Sequence, residues 1–67
     1  MPLVDISLLE GRTQDKKEEL MREVTDAVMR VLGSPPESVG VILRDVPATQ
    51  WSKGGETLAS IKSKTAS

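Results

Sequence analysis

The chain contains no cysteine, no histidine, no tyrosine and no phenylalanine, and Trp51 is its only aromatic residue. Without cysteine there is no disulfide to brace the fold and no thiolate to act as nucleophile. Without histidine the usual side chain for proton transfer near neutral pH is missing. The common zinc ligands are missing with them, so neither a metal nor a cofactor is expected. A net charge of −1 gives no basic field, and one tryptophan gives no stacking platform, which argues against a nucleic-acid partner. No apolar run approaches the roughly 18 residues of a membrane span, and the N-terminal segment lacks the basic-then-apolar layout of a signal peptide. The expectation is a cytoplasmic protein with no membrane partner.

At 67 residues the chain is read as a single domain spanning 1–67. A domain of this size buries only about 60% of the surface that its unfolded chain exposes. Small domains compensate with disulfides, metals or partner subunits. With the first two set aside, oligomerisation remains.

Pro2 stands directly behind Met1. While Met1 is attached, the Pro2 nitrogen is an amide whose lone pair is delocalised into the carbonyl. Removal of Met1 turns it into a secondary amine. An unperturbed α-amino group has a pKa of roughly 7.7–8.0, and apolar surroundings or a nearby arginine would lower it toward neutrality by disfavouring the charged form. A base of that kind would supply what the missing histidines do not. Taken alone, Met-Pro is equally the way an open reading frame happens to begin.

The pattern predicts a strand over Pro2–Leu9, with Val4, Ile6 and Leu8 on one face and Asp5 and Ser7 on the other. Thr13 is placed to cap a helix running from Gln14 to about Leu32. In that helix Leu20, Val24, Ala27, Val28 and Val31 form one apolar stripe, with Glu18–Arg22 and Asp26–Arg30 as supporting pairs. Gly33 and Ser34-Pro35-Pro36 end it. Val39–Val46 reads as a second strand. A helix between two strands implies a parallel pair with a right-handed crossover. Two parallel strands leave faces and edges uncovered, so a second subunit is expected to complete the sheet. After Trp51, the Gly54-Gly55 turn signal and Leu58–Ile61 suggest a short hairpin or an arm crossing a subunit boundary, and Lys62–Ser67 read as a frayed polar tail.

Several features together resemble the 4-oxalocrotonate tautomerase family. They are Pro2 behind Met1, Leu9-Glu10-Gly11-Arg12 after the first strand, one long helix, a proline-containing turn, a valine-rich second strand, and Trp51 followed by Gly54-Gly55-Glu56. The match runs over about residues 2–60. The resemblance implies an α+β fold: a small β-α-β subunit with parallel strands and a short C-terminal hairpin, its sheet completed by dimerisation, in one tautomerase-like domain. It further implies a homo-oligomer, commonly a hexamer built as a trimer of dimers, and loss of Met1. The implied activity is an isomerase that moves a proton along a 2-hydroxydienoate or related enol acid, as in the breakdown of aromatic compounds. Pro2 would be its catalytic base. Arg12 would enter a neighbouring subunit's site to bind the substrate carboxylate, Leu9 would help to place that loop, and Trp51 would make the pocket apolar. Read without the resemblance, Arg12 is a solvated loop arginine and Trp51 an interface or core anchor.

One position departs from the family pattern. Where the second strand of family members reads Val-Arg-Val, this chain reads Val39-Gly40-Val41. Deleting one preorganised donor beside developing charge typically costs about 2.7–4 kcal/mol, so a diacid substrate should suffer a penalty of about a hundredfold or more. Arg44 shares strand parity with Gly40 but lies four residues on, roughly 13 Å away along the backbone. It is expected to contribute to substrate binding without fully replacing the missing group, which shifts the preference toward a monoacid or a differently shaped enol. Two other functions stay open. One is a Pro2-dependent hydratase or dehalogenase of an unsaturated acid, with Glu10 or Glu56 activating water. The other is a catalytically silent oligomeric interaction protein, the outcome if Met1 is retained.

Overall fold

The computed structural model describes residues 2–66. Met1 and Ser67 lie outside that range, and with them the expected loss of Met1 and the last residue of the expected tail. The first strand, β1 (Leu3–Leu9), leads into helix α1 (Gln14–Leu32). A 3-10 turn at Pro36–Ser38 then delivers the chain to β2 (Gly40–Val46). β1 and β2 are parallel, with Leu3 opposite Gly40 and Leu9 opposite Val46. Each strand starts one residue later than its pattern suggests: Pro2 meets β2 only through its carbonyl, and the Val39 N–H bonds Pro36 O instead.

The capping residues set the ends of α1. Thr13 Oγ1 accepts a hydrogen bond from the Lys16 backbone N–H at 3.2 Å, satisfying one of the donors that a helix start leaves unpaired. At the other end Gly33 takes the left-handed conformation, φ 70°, and its N–H reaches Met29 O at 2.9 Å. Along α1, Leu20, Val24, Ala27 and Val28 are half-buried. Val31, expected in the same stripe, is 74% exposed. The expected Glu18–Arg22 and Asp26–Arg30 pairs do not form among the described residues. Glu18 instead accepts from Gln14 Nε2, and Lys16 pairs with Glu19. A longer-range pair, Lys17 Nζ to Asp45 Oδ2 at 2.7 Å, ties α1 to β2.

Past Pro47 and a 3-10 turn at Ala48–Gln50, a hairpin of β3 (Ser52–Lys53) and β4 (Glu56–Thr57) closes through Gly54 and Gly55, both with positive φ. A two-residue hairpin turn of this hand requires positive φ at both central positions, which glycine adopts without strain. The expected frayed tail is instead helix α2 (Leu58–Ala66). Thr57 Oγ1 accepts from Ser60 N at 3.1 Å, and Glu56 accepts from Ser60 Oγ and pairs with Lys64, so polar residues here hold a helix start and bind it to the hairpin. The α2 helix packs on the Ala48–Gln50 turn and on β4.

Among the described residues none is buried. The radius of gyration is 15.6 Å, against about 11 Å for a compact domain of this length. The accessible surface is 4980 Å², against roughly 4,200 Å² for a compact monomer of this mass. The β-α-β unit covers one sheet face with α1, while the hairpin and α2 extend away from it. The face bearing Leu3, Asp5, Ser7, Ile42 and Arg44 is exposed.

Candidate active site

Pro2 lies at the start of β1, half-buried, and its carbonyl accepts the Gly40 backbone N–H at 2.9 Å. That bond pins Pro2 to the first residue of β2. The ladder residues that follow are uncharged: Leu3 opposite Gly40, and Val4 opposite Val41.

At the far end of β1, Arg12 Nη1 donates to Leu9 O at 2.9 Å. Arg12 is exposed, and its remaining guanidinium donors have no partner among the described residues. A fork with spare donors suits bidentate binding of a carboxylate. The Leu9 carbonyl holds the Arg12 fork just beyond the strand. From Leu3 to Leu9 the strand rises roughly 20 Å, so Pro2 and Arg12 of one subunit cannot touch one small substrate.

Arg44 is engaged elsewhere. Its Nε and Nη2 donate to the two carboxylate oxygens of Asp5 at 3.0 and 2.7 Å. This bidentate pairing holds the Asp5 carboxyl below its ordinary range and raises the Arg44 guanidinium. Asp5 was not marked as functional by the sequence. The available signal was parity: Asp5 and Arg44 share a sheet face, with Asp5 opposite Ile42 and Arg44 opposite Ser7 in the parallel register.

Trp51 belongs to the C-terminal arm. Its side chain is half-buried, and its carbonyl accepts the Leu58 N–H at 2.7 Å, which locks the start of α2 to the residue before the hairpin. Of the two carboxylates considered for water activation, Glu56 is occupied by Lys64 and Ser60, which hold it below its ordinary range and make it a weaker base. Glu10 is exposed, and its backbone N–H bonds Val46 O at 3.0 Å.

The structure therefore joins Arg12 to Leu9 and Pro2 to Gly40, and keeps these two pairs at opposite ends of β1. A groove of about 390 Å³ runs along α1 between Met21, Thr25, Met29 and Pro36, and a smaller one of about 140 Å³ lies over Lys17 and Asp45. Neither includes Pro2, Arg12 or Trp51.

The chain as a whole has close counterparts. The chain is 42% identical over 62 residues to a probable tautomerase of Ralstonia nicotianae, covering 92% of this chain and 89% of the relative. It is 43% identical over 61 residues to the 2-hydroxymuconate tautomerase of Stutzerimonas stutzeri, covering 91% and 97%. Its fold superposes with a TM-score of 0.85, at 36% identity and 91% and 98% coverage, on a chain of the heterohexameric 4-oxalocrotonate tautomerase of Chloroflexus aurantiacus. The family model described as tautomerase enzyme matches residues 2–61, beginning at Pro2 and ending inside α2. With the β-α-β unit, the hairpin and nearly the whole length accounted for, this chain belongs to the tautomerase family.

Proposed function

We propose that the protein is a tautomerase of 2-hydroxydienoates or related enol acids, with Pro2 as its general base once Met1 has been removed. The observation that carries this reading is the setting of Pro2. It is half-buried and anchored through its carbonyl to Gly40, at the end of the ladder where Leu3, Val4, Gly40 and Val41 carry no charge. Apolar surroundings disfavour the ammonium form and keep an amine available as a base near neutral pH. Pro2 takes the proton from the 2-hydroxyl or an adjacent carbon and returns it farther along the conjugated chain, a 1,3- or 1,5-shift that needs no metal, cofactor or redox partner.

Arg12 binds the substrate carboxylate from a neighbouring subunit, and its fork draws electron density from the deprotonated substrate. Leu9 fixes the position of Arg12 through its carbonyl. Trp51, also from a neighbour, closes the pocket against water. Arg44 is the weakest of these groups, because it must leave Asp5 to meet a ligand. The reading requires a homo-oligomer, with the hexamer as the assembly, and the absence of any buried residue among those described supports this. The whole chain, 1–67, acts as one domain in the cytoplasm. No helix among the described residues is long and apolar enough to cross a membrane.

The test is a spectrophotometric ketonisation assay on a panel of enol acids, comparing Met1-free wild type with Pro2→Ala. The reading expects turnover by the wild type and a loss of about a hundredfold or more in the variant. Equal rates in the two proteins would remove Pro2 from the mechanism.

A further inference from the structure

The two edges of β1 differ. Toward β2, the Pro2 carbonyl accepts the Gly40 N–H at 2.9 Å and the Glu10 N–H bonds Val46 O at 3.0 Å. In a strand the N–H and C=O of one residue point to the same side, and those of the next residue to the other. Pro2 and Glu10 share parity and both face β2. Leu9 has the opposite parity, so its carbonyl faces the other edge, which pairs with no strand among the described residues. Arg12 Nη1 donates to that carbonyl at 2.9 Å. The Arg12 guanidinium is therefore held on the open edge of β1, the side on which another subunit can approach.

The link that brings it there is short. The ladder's last bond is made by Glu10, and Thr13 caps α1 through the Lys16 N–H. Only Gly11 and Arg12 lie between these two anchors. Gly11 has φ 117°, and a Cβ built on it would meet nothing within 4 Å. No neighbour excludes a side chain at this position. The requirement comes from the backbone, since L-residues rarely adopt that φ. Gly33 spends its positive φ on a helix cap, and Gly54 and Gly55 spend theirs on a hairpin. The bend at Gly11 falls directly before Arg12.

We propose that Gly11 is a positioning residue for Arg12. Its positive-φ bend turns Arg12 onto the open edge of β1, where the spare guanidinium donors meet a substrate carboxylate held at a neighbouring subunit's Pro2. This rests on the reading of Pro2 as the base and Arg12 as the carboxylate ligand, and the two can fail separately.

The experiment compares chemically synthesised chains of residues 2–67 carrying Gly11, Gly11→Ala or Gly11→D-Ala. The two variants add the same methyl group, and only the D-residue takes positive φ without strain. Each is made with Arg12 and with Arg12→Ala. The readouts are kcat/KM on a 2-hydroxydienoate, calorimetric affinity for the matching saturated 2-oxo acid, and oligomer mass. With Arg12 present, Gly11→Ala should lower rate and affinity about tenfold or more, while Gly11→D-Ala should stay within about twofold of the parent. With Arg12→Ala, Gly11→Ala should change neither beyond about twofold, because its effect runs through the missing side chain.

Equal loss in the L- and D-variants overturns the proposal, since space rather than backbone conformation would then matter. So does an equal effect of Gly11→Ala with and without Arg12, or a Gly11→Ala chain that no longer assembles, which would mean that the bend serves the fold. If the affinities follow the expected order while nothing is turned over, the positioning role stands and the Pro2 mechanism falls. If turnover depends on Pro2 but Gly11→Ala is silent, the mechanism stands and the positioning role falls.

Discussion

Pro2 and Arg12 stand at opposite ends of β1, separated by roughly 20 Å of strand, with the Arg12 guanidinium turned back onto the Leu9 carbonyl at 2.9 Å. The two groups best suited to the proposed chemistry are thus kept apart within a subunit, and an oligomer must bring them together. Arg12→Ala should lower kcat/KM about tenfold to a hundredfold, the loss expected for hydrogen bonds to a charged group. When Pro2→Ala and Arg12→Ala subunits are unfolded together and refolded as mixed oligomers, roughly a quarter of the sites should recover both groups if the site is shared between subunits. No recovery in assembled mixtures would mean that each subunit uses its own Arg12.

Assembly should also govern stability. A subunit with no buried residue among those described has little reason to stay folded alone, so dissociation and unfolding should be coupled. The melting temperature should then rise with protein concentration. A folded monomer at high dilution, seen by circular dichroism and light scattering, would contradict this.

The Asp5–Arg44 pair makes a prediction in pH. Its hydrogen bonds hold the Asp5 carboxyl below its ordinary value, so the native state binds fewer protons there than the unfolded chain does. The pair's contribution is therefore complete above the ordinary carboxylate range and disappears as pH falls through the lowered value. Carbon-detected NMR should find Asp5 titrating below an ordinary aspartate, and Arg44→Ala should return it to normal. Because both side chains are exposed, Arg44→Ala should change stability little.

The two ends of α1 offer a simpler check. Thr13→Ala removes the side chain that accepts the Lys16 N–H and should cost about 1 kcal/mol. Gly33→Ala puts a Cβ on a residue at φ 70° and should cost about as much through backbone strain. Denaturant midpoints at a single protein concentration measure both, and a neutral Gly33→Ala would show that the cap does not require glycine.

The β-α-β order was legible because three local signals agree. Alternation places Val4, Ile6 and Leu8 together, Thr13 and Gly33 mark the helix ends, and Gly54-Gly55 marks the hairpin. The helical tail is not legible in the sequence because Lys62–Ala66 carries no apolar periodicity. Its helix depends on Thr57, Glu56, Ser60 and Lys64 contacts that composition does not reveal. Val31 shares a helix face with Leu20, Val24, Ala27 and Val28 by period, but period does not set how much of that face is covered. In the site, the resemblance singled out Pro2 and Arg12, but their separation follows only from a straight seven-residue strand. The capture of Arg44 by Asp5 depends on strand register, which parity alone does not set.

The most direct measurement is a titration of the Pro2 nitrogen by 15N NMR in Met1-free protein, set beside the pH dependence of kcat/KM. The account predicts a Pro2 pKa below the roughly 7.7–8.0 of a free α-amino group, and a rate that rises with pH through the same value as the amine loses its proton. A Pro2 nitrogen that titrates at or above that range, or a rate that ignores its ionisation, would contradict the claim that it is the base.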